Sequence, residues 1–141
     1  MTKKYIVIDT NVLVSALITR NDNSPTVQIL RFLANGNIVP VYSDKILKEY
    51  NEVLRREKFK LPERIIINIL KDIIDNGLKV TEPAEVNETI LDPKDIVFYA
   101  VTLSAQDKDA FLVTGNAKHF PEKQFVVTPT ELIEILREEI A

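Results

Sequence analysis

Hydrophobic residues along this chain fall into two patterns, short solid apolar runs and longer stretches with apolar residues at helical spacing. The first run, Tyr5-Ile6-Val7-Ile8, is four large apolar residues in a row, the pattern of a strand buried on both faces. It stops abruptly at Asp9, which is followed by Thr10 and Asn11. Val12 to Ile18 resumes as a short buried helix, and Asn21 to Pro25 is a polar turn. Ser24 as N-cap and Pro25 at the first helical position then start a second helix, with Val27, Leu30, Leu33 and Ala34 on one face and Asn35-Gly36 as its stop. Ile38 to Tyr42 predicts a second strand, although Pro40 cannot donate to a ladder and argues against a central place for it.

Ser43 or Asp44 caps the next helix, in which Ile46, Leu47, Tyr50, Val53 and Leu54 form one stripe. Pro62 opens another, with Ile66, Ile69, Leu70 and Ile73 inward and Asn76-Gly77 closing it. Leu78 to Thr81 is a short third strand, and Glu82 to Leu91 is a mostly polar connection. Asp92-Pro93-Lys94-Asp95 begins a helix that is apolar nearly all round from Ile96 to Leu103, which fits a helix lying on a sheet and covered on its other side. Ala110 to Thr114 is a fourth strand, ending in the turn Gly115-Asn116, and Phe125 to Val127 is a fifth. Thr128-Pro129-Thr130-Glu131 is a capping box for a last helix with Leu132, Ile133, Ile135 and Leu136 buried. Strands alternating with helices imply right-handed crossovers and a mainly parallel sheet with helices on both faces.

The length of 141 residues, without an internal repeat, a low-complexity tract or an interdomain linker, predicts one domain over residues 1–141. There is no cysteine, which excludes thiol nucleophiles and thiolate metal sites and fits a reducing compartment. The early apolar run is too short for a signal peptide and no stretch nears the roughly 20 residues of a membrane span, so a cytoplasmic, soluble protein is expected. A formal net charge of -3 does not point to a grip on nucleic acid by bulk electrostatics, although a metal-filled site would reverse the sign locally. The basic run Arg55, Arg56, Lys58 and Lys60 has two readings, phosphate contact or a solvated helix end.

The candidate chemistry is acidic. In an open parallel sheet the ligand crevice lies outside the carboxyl ends of the strands, where Asp9, Ser43 and Asn116 would all emerge. Asp9 has a plainer reading as the cap of the first helix. On the third helix, at roughly 100° per residue, Glu49 falls on the border of the apolar stripe and can lean into a crevice. Glu52 points nearly opposite, and Glu57 lies further along. Asp92 and Asp95 open the fifth helix on the same rim, and capping alone would account for both. Carboxylates gathered in one place resist joint ionisation, and a divalent cation relieves them. Oxygen ligands suit magnesium or manganese. His119, the single histidine, reads as a surface or packing residue.

Four segments together, VIDTNVLVSAL, SDKILKEYNEVL, LDPKDIVFYAV and FLVTGNAKHFP, resemble the PIN-domain ribonucleases. In particular they resemble the VapC-like toxin components of bacterial and archaeal toxin–antitoxin pairs, in order and over essentially the whole chain. The resemblance implies an α/β/α fold with a five-stranded sheet in the order 3-2-1-4-5 and cleavage of RNA dependent on Mg2+ or Mn2+. By position it makes Asp9, Glu49 and Asp95 the catalytic acids and metal ligands, with Asn116 where many members carry a fourth acid and others an asparagine. Thr10, Asn11, Ser43 and Thr114 would orient carboxylates or the attacking water, and Asp92 would assist. It further implies a homodimer and a cognate antitoxin as partner.

Two other functions are compatible with the pattern. One keeps the fold as a catalytically weak interaction module bound by an antitoxin-like partner, which Asn116 in place of an acid favours. The other is a receiver or haloacid-dehalogenase-like phosphotransfer domain, since both set an Asp at a strand end. The phosphatase has a second Asp two positions on, where this chain has Asn11, and the receiver's acid pair and lysine do not stand in the expected places.

Overall fold

The opening apolar run is β1 (Lys4–Ile8), and Ile6, Val7 and Ile8 are shut off from solvent. A computed structural model describes residues 3–140. In it β1 is the middle strand of a five-stranded parallel sheet with β2 (Ile38–Tyr42), β3 (Leu78–Lys79), β4 (Phe111–Val113) and β5 (Val126–Val127), in the order 3-2-1-4-5. Helices flank it to give a three-layer α/β/α fold: α1 (Thr10–Ile18), α2 (Pro25–Ala34), α3 (Asp44–Leu54), α4 (Glu63–Asn76), α5 (Pro93–Ser104) and α6 (Pro129–Ile140). α5 rests on β1, β2 and β4, α2 and α4 rest against β2, and α6 packs on α2. As its all-round apolar pattern predicts, α5 buries Phe98, Tyr99, Ala100, Val101 and Thr102 in succession.

Local chemistry sets most helix ends. Ser24 and Ser43 accept from the backbone N–H groups of Val27 and Ile46, and Thr128 and Glu131 exchange bonds at 3.2 and 2.9 Å as a reciprocal box. α2 ends in a left-handed Gly36, with Asn37 N–H bonding to the Phe32 carbonyl and Gly36 N–H to that of Leu33.

Several expectations shift. α1 begins at Thr10, two residues before the apolar run. The third, fourth and fifth strands are shorter than expected, because Val80, Thr81, Ala110, Thr114 and Phe125 lie outside the paired segments. Pro62 occupies the N-cap position, with the helix starting at Glu63. β2 is an interior strand despite Pro40. Its pairing with β3 begins at Val41↔Leu78, and the β3-side bond runs from Val80 N–H to the Tyr42 carbonyl. Strand alternation puts Pro40 on the β3 side too, so its missing N–H falls ahead of the point where β3 joins. Gly77 ends α4 in extended backbone, and its role is clearance: a Cβ there would stand 2.3 Å from the Ile73 carbonyl oxygen and 2.5 Å from that of Pro40. Short 3-10 turns at Glu57–Phe59, Gln106–Lys108 and Ala117–His119 have no counterpart in the apolar pattern.

Candidate active site

Parallel pairing of β1 with β2 and β4 brings three carboxyl ends to one rim, carrying Asp9, Ser43 and Thr114. Asp9 does stand at the N-cap of α1, but its side chain makes no capping bond; its main-chain carbonyl accepts from Val12 instead. The carboxylate is free for other work, and its Oδ2 accepts from Thr114 Oγ1 at 2.7 Å. Only 6 % of Asp9 is exposed. Burial is the main cause that lifts its pKa to about 6, the negative charges of Asp95 and Glu49 add to the rise, and the Thr114 hydroxyl opposes it.

Glu49 sits where its angle on α3 places it. Its Oε2 accepts from Thr10 Oγ1 at 2.5 Å, so α1 and α3 are joined beside Asp9. Glu52 and Glu57 are exposed and stand outside this cleft. Beneath it, the hydroxyl of fully buried Tyr50 donates to the carbonyl of Ile8, the residue before Asp9. Burial first, then the charges of Asp9 and Glu49, raise the Tyr50 pKa, so the phenol stays a neutral donor. Sequence reasoning placed Tyr50 only on the apolar stripe; a lone hydroxyl among aliphatic positions next to Glu49 was the available signal.

At the start of α5 the two acids part company. Asp92 caps, its Oδ1 accepting from Lys94 N–H at 3.0 Å. Asp95 returns only its main-chain N–H, to the Asp92 carbonyl, so the capping reading holds for Asp92 and, among the described residues, not for the Asp95 carboxylate. Its Oδ2 instead lies 3.9 Å from Nδ1 of the largely exposed His119, which the sequence left as a surface residue. The Asp95 pKa is raised, chiefly by burial and then by Asp92, with Glu49 adding and His119 opposing.

Asp9, Glu49, Asp92 and Asp95 thus line one crevice of about 470 Å³, with Arg56 and Lys94 on the same walls. Val14, Ile18, Val53 and Phe59 line it as well. The family comparison bears on the whole of this arrangement. The PIN domain model matches residues 5–118, from β1 to the 3-10 turn that carries His119. The chain belongs to the PIN-domain family. No curated protein and no solved structure matches it significantly. A PIN domain is a nuclease-type fold, which supports a general ribonuclease role.

Not every residue carried over by position reaches the crevice of this PIN domain. Asn116 is exposed and does not line it; its N–H bonds to the Thr114 hydroxyl at 3.0 Å. Ser43 is taken up in capping α3. Asn11 lines the crevice, and its Oδ1 accepts from Gly115 N–H at 3.2 Å, fastening the loop after β1 to the loop after β4. The basic run also divides. Arg55 is held by Glu63 and Asn51, and Lys58 lies over the Phe59 ring. The Arg56 side chain forms no hydrogen bond or ion pair among the described residues and faces the crevice.

The carboxylates on this crevice are the kind of oxygen ligand that a hard divalent cation takes, and Asp9 carries its negative charge at a cost. Among the described residues no three acidic or histidine side chains form a ready-made ligand group, and the Glu49 carboxylate is engaged by Thr10. No helix among the described residues is long and apolar enough to cross a membrane.

Proposed function

We propose that this PIN domain is a metal-dependent endoribonuclease, the toxin of a toxin–antitoxin pair, working in the cytoplasm as a homodimer under control of a cognate antitoxin. The observation that carries the nuclease reading is the meeting of Asp9, Glu49 and Asp95, from three separate elements, in one crevice at the carboxyl edge of the sheet. Asp9, Glu49 and Asp95 would hold Mg2+ or Mn2+, with Asp92 beside them. When bound, such an ion acidifies water for attack on a phosphodiester and neutralises charge on the phosphate.

The chain's own side chains do the rest. Thr114 keeps one Asp9 oxygen oriented and favours its ionised form. Thr10 orients Glu49, and Tyr50 pins the end of β1. Arg56 and Lys94 offset the acids and receive the negative backbone of RNA, which a chain of net charge -3 could not draw in by bulk charge. The test is purified protein on structured RNA with magnesium or manganese. Cleavage lost on chelation and in Asp9→Asn, with the fold intact by circular dichroism, is expected; cleavage that survives either defeats the reading.

An interaction module of the same fold is the second reading. Two observations favour it: among the described residues no ready-made ligand group forms, and Asn116 lies outside the crevice. Calorimetric titration with manganese separates the two. Binding abolished by Asp9→Ala supports the nuclease, and no binding supports the module.

A further inference from the structure

A second cavity, of about 510 Å³, opens between α2 and α6 and is lined by Asn23, Gln28, Arg31, Phe32, Asn35 and Arg137. It shares no lining residue with the acidic crevice. In a chain with 21 acidic and 18 basic residues, two guanidinium groups line this cavity and, among the described residues, no carboxylate does. Both arginines stand in the last turn of their helices, where the helix dipole favours a cation, and that alone would account for the charges. It does not account for how Arg137 is held. Its Nη2 donates to Gln28 Oε1 at 2.7 Å, and Gln28 Nε2 donates in turn to the Asn23 carbonyl at 2.8 Å. A neutral amide thus orients the guanidinium and leaves its charge uncompensated. The side chains of Arg31, Asn23 and Asn35 form no hydrogen bond or ion pair among the described residues and line the same cavity. One planar fork satisfies a carboxylate; two suit an anion with more oxygens, such as linked phosphates. The ring of half-buried Phe32 lies on the same lining.

We propose that this cavity binds a small phosphorylated molecule, a nucleoside diphosphate, with Arg31 and Arg137 on the phosphates and Phe32, Asn23 and Asn35 on the nucleoside. Its volume falls within the range of small-ligand sites, about 300–1,000 Å³. Guanidinium forks take phosphate oxygens in pairs, and carboxamides supply both a donor and an acceptor to a base or ribose. No described acid lines the cavity, so binding needs no metal ion. The site is therefore independent of the nuclease reading, in which RNA and cation meet on other residues.

The experiment is calorimetric titration of the full chain with ADP, pyrophosphate, citrate and a short single-stranded RNA, in low-salt buffer stripped of divalent ions by chelating resin. Without those ions no phosphate is carried to the acidic crevice. The proteins are wild type, Arg31→Gln, Arg137→Gln, Gln28→Leu and, as a control with the same loss of charge, Arg64→Gln, an exposed arginine of α4 away from this cavity. Circular dichroism checks each fold. ADP is expected to bind, and to bind about tenfold or more weakly after Arg31→Gln or Arg137→Gln, the size of one charge-assisted contact. Gln28→Leu keeps both charges but releases the Arg137 fork, and should weaken ADP by a smaller factor. Arg64→Gln should change nothing, and pyrophosphate should bind more weakly than ADP because it lacks the nucleoside. No binding of ADP, ADP bound equally well by the Arg31 and Arg137 variants, or an equal loss in Arg64→Gln overturns the site. Citrate bound as tightly as ADP would mark a carboxylate site, and pyrophosphate bound as tightly a bare anion site; either overturns the nucleotide. RNA that binds more tightly than ADP and is weakened by Arg31→Gln would assign the cavity to RNA, which overturns it too.

Discussion

Thr114 Oγ1 donates to Asp9 Oδ2 at 2.7 Å, a bond between residues 105 positions apart at the ends of adjacent strands. It opposes the burial and the acidic neighbours that lift the Asp9 pKa to about 6. Thr114→Val keeps the volume and removes the donor. The Asp9 carboxyl, followed by carbon NMR in metal-free buffer, should then titrate above the wild-type midpoint near 6, because the ionised form has lost a donor. Since the ionised form is the one that holds a cation, the acid limb of the activity profile should move in the same direction. A midpoint that stays put would show that the hydroxyl does not stabilise the anion.

The same shift links Asp9 to stability. Its folded-state pKa is raised from 3.8 to about 6, so between those values the folded chain keeps a proton that the unfolded chain has released. This contribution is complete below the unfolded pKa and is lost as pH rises through the folded one. The loss amounts to about 3 kcal/mol at most, from a shift of roughly two units. Asp9→Asn removes the titration. It should be about 1–3 kcal/mol more stable than wild type near pH 8 and gain little near pH 4, by urea unfolding at the two pH values. A gain independent of pH would point to packing as the cause.

A bound divalent ion should reverse that cost. Manganese at about a hundred times its dissociation constant would stabilise the fold by about 2.7 kcal/mol, seen as a rise in melting temperature that chelator removes. Asp95→Asn should abolish most of the rise without lowering the melting temperature of the metal-free protein, since the Asp95 carboxylate takes no part in capping α5.

Arg55 and Arg56 are adjacent in sequence but differ in surroundings. Arg55 is spent on Glu63 and Asn51, whereas Arg56 faces the crevice. Arg56→Gln is expected to raise KM for RNA about tenfold or more, the range for losing a charge-assisted contact, with kcat nearly unchanged. Arg55→Gln should leave both constants alone. Equal effects from the two would return the basic run to diffuse surface charge.

Gly77→Ala tests the join between α4 and β3. A Cβ at 2.3 and 2.5 Å from two carbonyl oxygens cannot be accommodated without moving the backbone. A loss of about 2 kcal/mol or more in chemical unfolding is expected. The left-handed Gly36, whose Cβ would meet nothing, should lose less on the same change.

Much of this could be read from the chain. The solid run Tyr5–Ile8 marks the central strand, serine and threonine caps mark the helix starts, and the angular position of Glu49 against Glu52 separates the acid in the crevice from the one in solvent. These signals are local, because strand burial, capping and helical phase depend on neighbours within a few residues.

Tertiary structure alone decided which hydroxyl meets which carboxylate, Thr10 on Glu49 and Thr114 on Asp9, and which neighbour in the run Arg55-Arg56 is consumed in joining α3 to α4. It also released Asp9 and Asp95 from the capping roles that their positions allowed, left Asn116 outside the crevice, and raised Tyr50 from a packing residue to the support of β1. Each of these depends on distances between segments far apart in the chain. Such distances are set by how helices pack on a sheet, and side-chain periodicity carries no record of them.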